Sequence, residues 1–330
     1  MAFSKFRIRS IYKMKVTEHI DNAKSTLFTI EILPPLKGQN IQSLFDHMDP
    51  LMEFKPPFVD VTYHREEFVY KKMDNGLLQR KTVRKRPGTV GICAAIQNHY
   101  QVDAVPHIIC GGFTREETEN ALIDLNFLGI ENVLLIQGDT KKPEREFVPE
   151  PDGHEYASDL IEQVVCLNNG MYLDEELENA MPSDFCIGVA GYPEKHFAAP
   201  NMETDIMYLK EKIKKGGNYI VTQMFFDNKP YFKFVKKCRN AGIEVPIIPG
   251  LKPITSKRQV SLLPQLFHVD IPVELSKAID DCKDNEAAKQ VGVEWAIAQS
   301  KELMDFGVPS LHFYSMGKSG SVYEVAKELF

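Results

Sequence analysis

The feature that most constrains this chain is a repeated exchange of two hydrophobic periods. Eight short β-rich runs alternate with longer amphipathic stretches. The runs are LFTIEIL (27–33), FVDVTY (58–63), VPHIIC (105–110), NVLLIQGD (132–139), FCIGVAGY (185–192), NYIVTQMFF (218–226), EVPIIPG (244–250) and LHFYSM (311–316). Helical patterns lie between them, for example over 114–129, 202–217 and 231–242. The first of these opens with Thr114 and Glu117 at capping-box spacing, and the other two stop at glycines that follow Lys or Arg. Eight alternations predict an α/β fold, a single-domain (β/α)8 TIM-type barrel. The alternative is a doubly wound sheet, but its dinucleotide signature, GxGxxG after the first strand, occurs nowhere. A length of 330 residues suits one barrel.

Composition narrows the partners. The chain carries 39 Lys and Arg against 46 Asp and Glu, a net charge of −7, which argues against a nucleic-acid partner. One basic stretch, QRKTVRKR (79–86), reads as a solvated loop or an anion contact. No run approaches the roughly 18–20 apolar residues of a membrane helix, so no membrane partner is expected. Basic residues near the start are not followed by an apolar h-region, so no signal peptide is expected. Residues 1–25 read as an N-terminal extension, helical or partly disordered, with Met14 as an alternative start; residues 26–330 read as the barrel. Six scattered cysteines without a CxxC pair fit reduced thiols and a cytoplasmic location. The GKS at 317–319 is no P-loop, because His312 stands where its first glycine belongs. There is no HExxH and no His/Cys cluster, so no metal is expected. Residues 141–156, charged and with three prolines, read as a long loop on the side where barrel enzymes work.

Alternation then assigns faces. In FTIEILPP, Phe28, Ile30 and Ile32 share one face and Thr29, Glu31 and Leu33 the other. The apolar face suits the helix layer. Glu31 is thereby aimed into the barrel near the strand's C-terminal end, where polar residues usually serve the active site. A bland alternative pairs Glu31 with a buried Lys or Arg. The run NVLLIQGD is apolar until Gln137, Gly138 and Asp139, which sit at the mouth; Asp139 could equally cap the following segment. Gln223 lies within an apolar strand, opposite in face to Thr222, and must meet backbone or a ligand's amide edge. A lone strand histidine such as His107 is more often a satisfied core residue.

The ordered set FTIEILPP, VDVTY, PHIIC, IQGD, EYASDL, AGYPEKH, DIMYLKEKIKKGG, VTQMFFD, IIPGLKP and HFYS resembles methylenetetrahydrofolate reductase of the short bacterial type. The resemblance covers roughly residues 27–316, in the family's order. It implies a barrel that holds FAD non-covalently without GxGxxG. The implied reaction is reduction of 5,10-methylenetetrahydrofolate to 5-methyltetrahydrofolate, with NADH or NADPH reducing the flavin first, in one-carbon metabolism and methionine biosynthesis. One pocket serving both substrates implies ping-pong kinetics. The implied partners are small molecules, reduced folate and a nicotinamide dinucleotide, and the family suggests a homo-oligomer. Two rival readings keep the barrel: a ferredoxin- or flavodoxin-type reductant, and a flavin-free folate-binding subunit of a larger complex. Because the chain ends soon after the eighth strand, no regulatory domain responding to S-adenosylmethionine is expected.

Residue by residue, the resemblance makes Glu31 the general acid and Asp139 the aspartate at the flavin. Gln223 would bind the pterin and, in its turn, the nicotinamide. FAD contacts would come from Thr62, Tyr63, His107, Gln137, Gly138, Asp139, Tyr156, Ala157, Tyr192, His196, Asp205 and Lys212. Of these, His196 and Lys212 would meet the pyrophosphate and Asp205 the ribose. Taken alone, Lys212 in KEKIKK reads as part of a solvated helix face, and Tyr156 as a ring packing locally at a helix start. Gln259 and Lys318 match substrate-holding positions. Gln137 and Lys318 each stand where relatives carry Arg, which changes the contact expected there.

Overall fold

The computed structural model describes residues 13–140 and 146–330. Eight parallel strands close into a barrel: β1 (Leu27–Ile32), β2 (Phe58–Val61), β5 (Asp103–Ile109), β6 (Asn132–Ile136), β7 (Cys186–Gly191), β8 (Tyr219–Met224), β9 (Ile247–Leu251) and β10 (Ser310–Tyr314). β1 pairs with both β2 and β10, which completes the ring. The strands β3 (Glu67–Lys72) and β4 (Leu78–Val83) form a separate antiparallel hairpin. Helices α2 (Gln42–Met52), α4 (Arg115–Phe127), α5 (Ala157–Asn168), α6 (Met202–Lys214) and α7 (Asn228–Asn240) each follow a barrel strand in the chain, while α3 (Thr89–Tyr100) follows the hairpin strand β4. α8 (Gln259–Phe267), α9 (Val273–Asp280) and α10 (Asn285–Phe306) lie between β9 and β10, and α11 (Gly320–Leu329) follows β10.

The barrel predicted from the strand alternation is the architecture observed, and the face assignment of the first run holds. Phe28, Ile30 and Ile32 pack with Leu44, Met48 and Leu51 of α2 in the core between strands and helices. Thr29 turns inward, where its hydroxyl meets Ser310 Oγ at 3.1 Å and His312 Nδ1 at 3.0 Å. A second apolar cluster fills the barrel interior, with Phe58, Val105, Leu134, Tyr219, Val221 and Ile248 contributed by successive strands. The capping box at Thr114 forms as expected: the Glu117 N–H donates to Thr114 Oγ1 at 3.1 Å, and the Thr114 N–H donates to Glu117 Oε2 at 2.8 Å.

A short helix, α1 (Val16–Asn22), closes the N-terminal end of the barrel. Val16 is fully buried in the interior cluster. Asn132, the first residue of β6, accepts the Val16 N–H at 2.8 Å and donates to the Met14 carbonyl at 3.0 Å. Asp103, the first residue of β5, accepts the Met14 N–H at 3.0 Å and meets His19 Nε2 at 2.7 Å. The remainder of the N-terminal extension, residues 1–12, lies outside the described residues.

Two expectations are corrected. The basic stretch 79–86 is not simply a loop: its first half is β4, paired residue for residue with β3 across Asn75-Gly76. Gly76, at φ +81°, supplies the left-handed turn such a hairpin needs. Every residue of β3 is exposed and β4 is nearly so, which leaves no apolar face to betray the strands. The run at 244–250 enters β9 only at Ile247, although the Pro246 carbonyl already accepts the Ile220 N–H at 2.9 Å. Of the loop expected at 141–156, residues 141–145 lie outside the described residues, and 146–156 contain no helix or strand.

Candidate active site

Glu31 sits at the C-terminal end of β1, with Asp60 of β2 and Tyr314 of β10 as its register partners. On β1, β2 and β5 alternation turns Glu31, Asp60 and His107 to the same side, and they converge inside the ring. His107 Nε2 lies 3.7 Å from Glu31 Oε2 and 3.4 Å from Asp60 Oδ1. Burial pushes the Glu31 carboxyl up to about 7; the His107 and Lys252 charges pull it back and Asp60 pushes it further up. Burial by itself would depress His107, but the 3.4 Å contact with Asp60 and the two carboxylate charges outweigh it and raise it overall. Lys252, just past β9, is 8% exposed, and burial lowers its ammonium to about 8 against the pull of Glu31.

The rim above this cluster gathers a second set. Gln137 Nε2 donates to the Glu155 carbonyl at 2.8 Å, tying the end of β6 to the approach of α5. Gly138 takes φ +87°, and a Cβ there would lie 3.2 Å from the Ile109 side chain. Asp139 is exposed. Tyr156 is 54% exposed and stands at the start of α5, whose first N–H groups receive no side-chain cap; Ala157 is buried behind it. The Tyr192 and His196 rings meet edge to face at 4.5 Å. The His196 N–H donates to Asp205 Oδ2 at 2.9 Å. Burial, then the Lys212 and Lys195 charges, lowers His196 to about 4, so its imidazole is neutral near pH 7. Burial raises Asp205, opposed by the His196 N–H and by Lys212 and Lys195.

Lys212 is not on a solvated face. Its side chain runs back along α6 until Nζ stands 3.5 Å from the Ala190 carbonyl of β7, and burial lowers its ammonium against the charge of Asp205. Thr62 continues β2, with its N–H donating to the Ile32 carbonyl at 3.2 Å. Tyr63 packs on Phe113 with ring centroids 5.0 Å apart; burial raises its hydroxyl and a hydrogen bond from Arg84 opposes that.

The remaining predicted residues are more scattered. Gln223 is half-buried, and its Oε1 accepts the Met224 N–H at 2.9 Å. Gln259, the first residue of α8, accepts the Thr255 N–H on its Oε1 at 2.6 Å. Lys318 is exposed, and its charge helps to lower Lys252. Sequence reasoning passed over Asp60 and Lys252. Asp60 in FVDV carried the same signal as Glu31, a carboxylate flanked by β-formers in a run that buries both faces. Among the described residues, no group of His, Cys, Asp and Glu is arranged to hold a metal ion, and no helix is long and apolar enough to cross a membrane.

Comparison with known proteins adds the following. A family model described as methylenetetrahydrofolate reductase matches residues 15–330. Methylenetetrahydrofolate reductase (NADH) 1 of Arabidopsis thaliana is 31% identical over 329 residues, which covers 96% of this chain and 51% of the relative. The chain thus spans about half the length of several curated relatives it matches. The 5,10-methylenetetrahydrofolate reductase of Escherichia coli K12 is 30% identical over 302 residues, covering 91% of this chain and 90% of the relative. Among solved structures, an uncharacterized protein from Clostridium thermocellum that binds two copies of 5-methyl-5,6,7,8-tetrahydrofolic acid shares the fold. Its TM-score is 0.56 at 15% identity, covering 94% of this chain and 96% of that one.

Proposed function

The chain belongs to the methylenetetrahydrofolate reductase family, and from that premise we propose that it reduces 5,10-methylenetetrahydrofolate to 5-methyltetrahydrofolate with NADH or NADPH as the source of hydride. One observation carries this reading: a carboxyl group at the C-terminal mouth of the barrel whose affinity for its proton is raised to about 7 by burial. The folate's five-membered ring must open to an iminium before its one-carbon unit can accept hydride. Opening requires protonation of the departing N10 nitrogen. An ordinary glutamic acid is ionised at neutral pH and cannot supply that proton, whereas Glu31 retains it for an appreciable fraction of the time. In the proposed step the Glu31 O–H bond breaks, an N10–H bond forms, and the ring C–N bond electrons return to N10.

The rim residues fit a non-covalent FAD. The uncapped start of α5 offers backbone N–H groups to an anion. Lys212 and the neutral His196 stand near Asp205, which accepts a backbone N–H and retains an oxygen suited to sugar hydroxyls. When bound, FAD would take hydride from the nicotinamide and yield it to the folate. Gln223, an amide able to donate and accept, would hold the pterin and nicotinamide in turn, which makes the kinetics ping-pong. Asp139 at the mouth would favour the cationic iminium.

The test is a pair of anaerobic half-reactions followed by flavin absorbance. Glu31→Gln should leave bleaching by NADH or NADPH intact and abolish recolouring by methylene-folate. Recolouring at the wild-type rate would remove Glu31 from its role. A purified protein that is colourless and takes up no FAD would overturn the flavin reading itself.

A further inference from the structure

Asp60 is a charge without an evident structural purpose. Its side chain is 1% exposed, and among the described residues neither carboxylate oxygen finds a conventional hydrogen-bond partner. Burying such a group is unfavourable, and an apolar residue of similar size would stabilise a barrel interior better. What singles it out is its place. It is the register partner of Glu31 across β1 and β2, and of Val105 across β2 and β5, two residues before His107. The three groups therefore occupy adjacent strands, and one atom, His107 Nε2, faces both carboxylates.

We propose that Asp60 is a positioning residue that holds the His107 imidazole against Glu31, so that His107 hands Glu31 a fresh proton after each folate turnover. The proposal rests on Glu31 acting as the acid. Once Glu31 has given its proton to the folate nitrogen it is a bare carboxylate inside the barrel, and its neighbour is the imidazolium. The His107 Nε2–H bond breaks, a Glu31 O–H bond forms, and the neutral imidazole takes its replacement proton from water. Asp60 Oδ1, 3.4 Å from His107 Nε2, keeps the ring turned towards Glu31 throughout.

The other groups facing this trio leave the assignment clear. Lys252, past β9, favours ionised Glu31 and so works against the proton. On β10, His312 is lowered by burial and its Nδ1 is engaged with Thr29, so it remains neutral. Tyr314 of β10, Tyr219 of β8 and Cys93 of α3 are all raised well above their ordinary values by burial and do not titrate near neutrality. Among the described residues, His107 is the base placed within 4 Å of both carboxylates.

The test is Asp60→Asn, which keeps the shape and removes the charge. Two readouts are needed. First, the His107 imidazole is titrated by nitrogen-15 NMR in protein stripped of flavin, its signal assigned by loss in His107→Gln. Wild-type His107 should titrate above an ordinary histidine and fall by a unit or more in Asp60→Asn. Second, the alkaline limb of the folate half-reaction should move to lower pH, because the lost charge favoured protons on both Glu31 and His107. An unmoved titration and an unmoved limb would overturn the proposal. If Asp60→Asn does not fold, the wild-type titration decides: an imidazole at or below the ordinary value overturns it. The two readings separate cleanly. Loss of the Glu31 dependence overturns the function, whereas an intact Glu31 dependence with an indifferent Asp60 overturns only the relay.

Discussion

His107 Nε2 stands 3.7 Å from Glu31 Oε2, with 5% and 14% of the two side chains exposed. The pair is shielded from bulk water, and this arrangement governs how the protein should respond to pH.

The folate half-reaction should slow as pH rises through about 7. Glu31 must be protonated to act, and its affinity is raised to about 7, so the competent form dominates below that value and is lost above it. Single-turnover reoxidation of the reduced flavin by methylene-folate, measured over a range from about one unit below to about two units above that value, checks this. A rate independent of pH across neutrality would count against the assignment.

Stability should carry the same signature. A carboxyl raised from 4.5 to about 7 in the folded state binds its proton more tightly than in the unfolded chain. Its contribution is therefore fully present below about 4.5 and is lost as pH rises through 7. Glu31→Gln should match wild type in acid and exceed it at pH 8 by on the order of 2–3 kcal/mol. Urea unfolding at the two extremes reads this directly, and equal stability at pH 8 would contradict it.

Asn132→Ala should loosen the N-terminal end of the barrel. The change strips a partner from the Val16 N–H and the Met14 carbonyl, both held by that one side chain. The expected loss is about 1–3 kcal/mol, the usual penalty for orphaned buried polar groups. Hydrogen exchange at the Val16 amide should rise together with the drop in melting temperature; slow exchange there in the variant would show that another group had taken over.

Lys212→Met should weaken FAD binding about 10- to 100-fold, the worth of a charge-assisted hydrogen bond of roughly 1.5–3 kcal/mol. The substitution preserves length and apolar packing, so folding should survive. Recovery of flavin fluorescence on dilution measures the affinity. An unchanged dissociation constant would place the pyrophosphate elsewhere on the rim.

The legible and illegible parts of this chain differ in how far burial is written into the alternation. The barrel strands bury both faces, so their runs are apolar enough to stand out, and a lone carboxylate such as Glu31 is conspicuous within LFTIEI. The hairpin of β3 and β4 buries almost nothing, so its strand character rests on register and an Asn-Gly turn rather than on hydrophobic period. Lys212 was ambiguous for a different reason. Its neighbours Glu211 and Lys214 are exposed, and only the reach of a long side chain back towards β7 sets it apart. Asp60 carried a readable signal, but its meaning depends on the pairing of β1 with β2, which periodicity within one strand does not reveal.

The placement of α1 across the strand beginnings has a consequence for traffic. With Val16 wedged among the interior side chains and the backbone around it anchored to β5 and β6, the ring is a cul-de-sac. Among the described residues the strand beginnings are covered, so on the proposed function a visitor to Glu31 would come from the C-terminal mouth, and nicotinamide and pterin would take turns there.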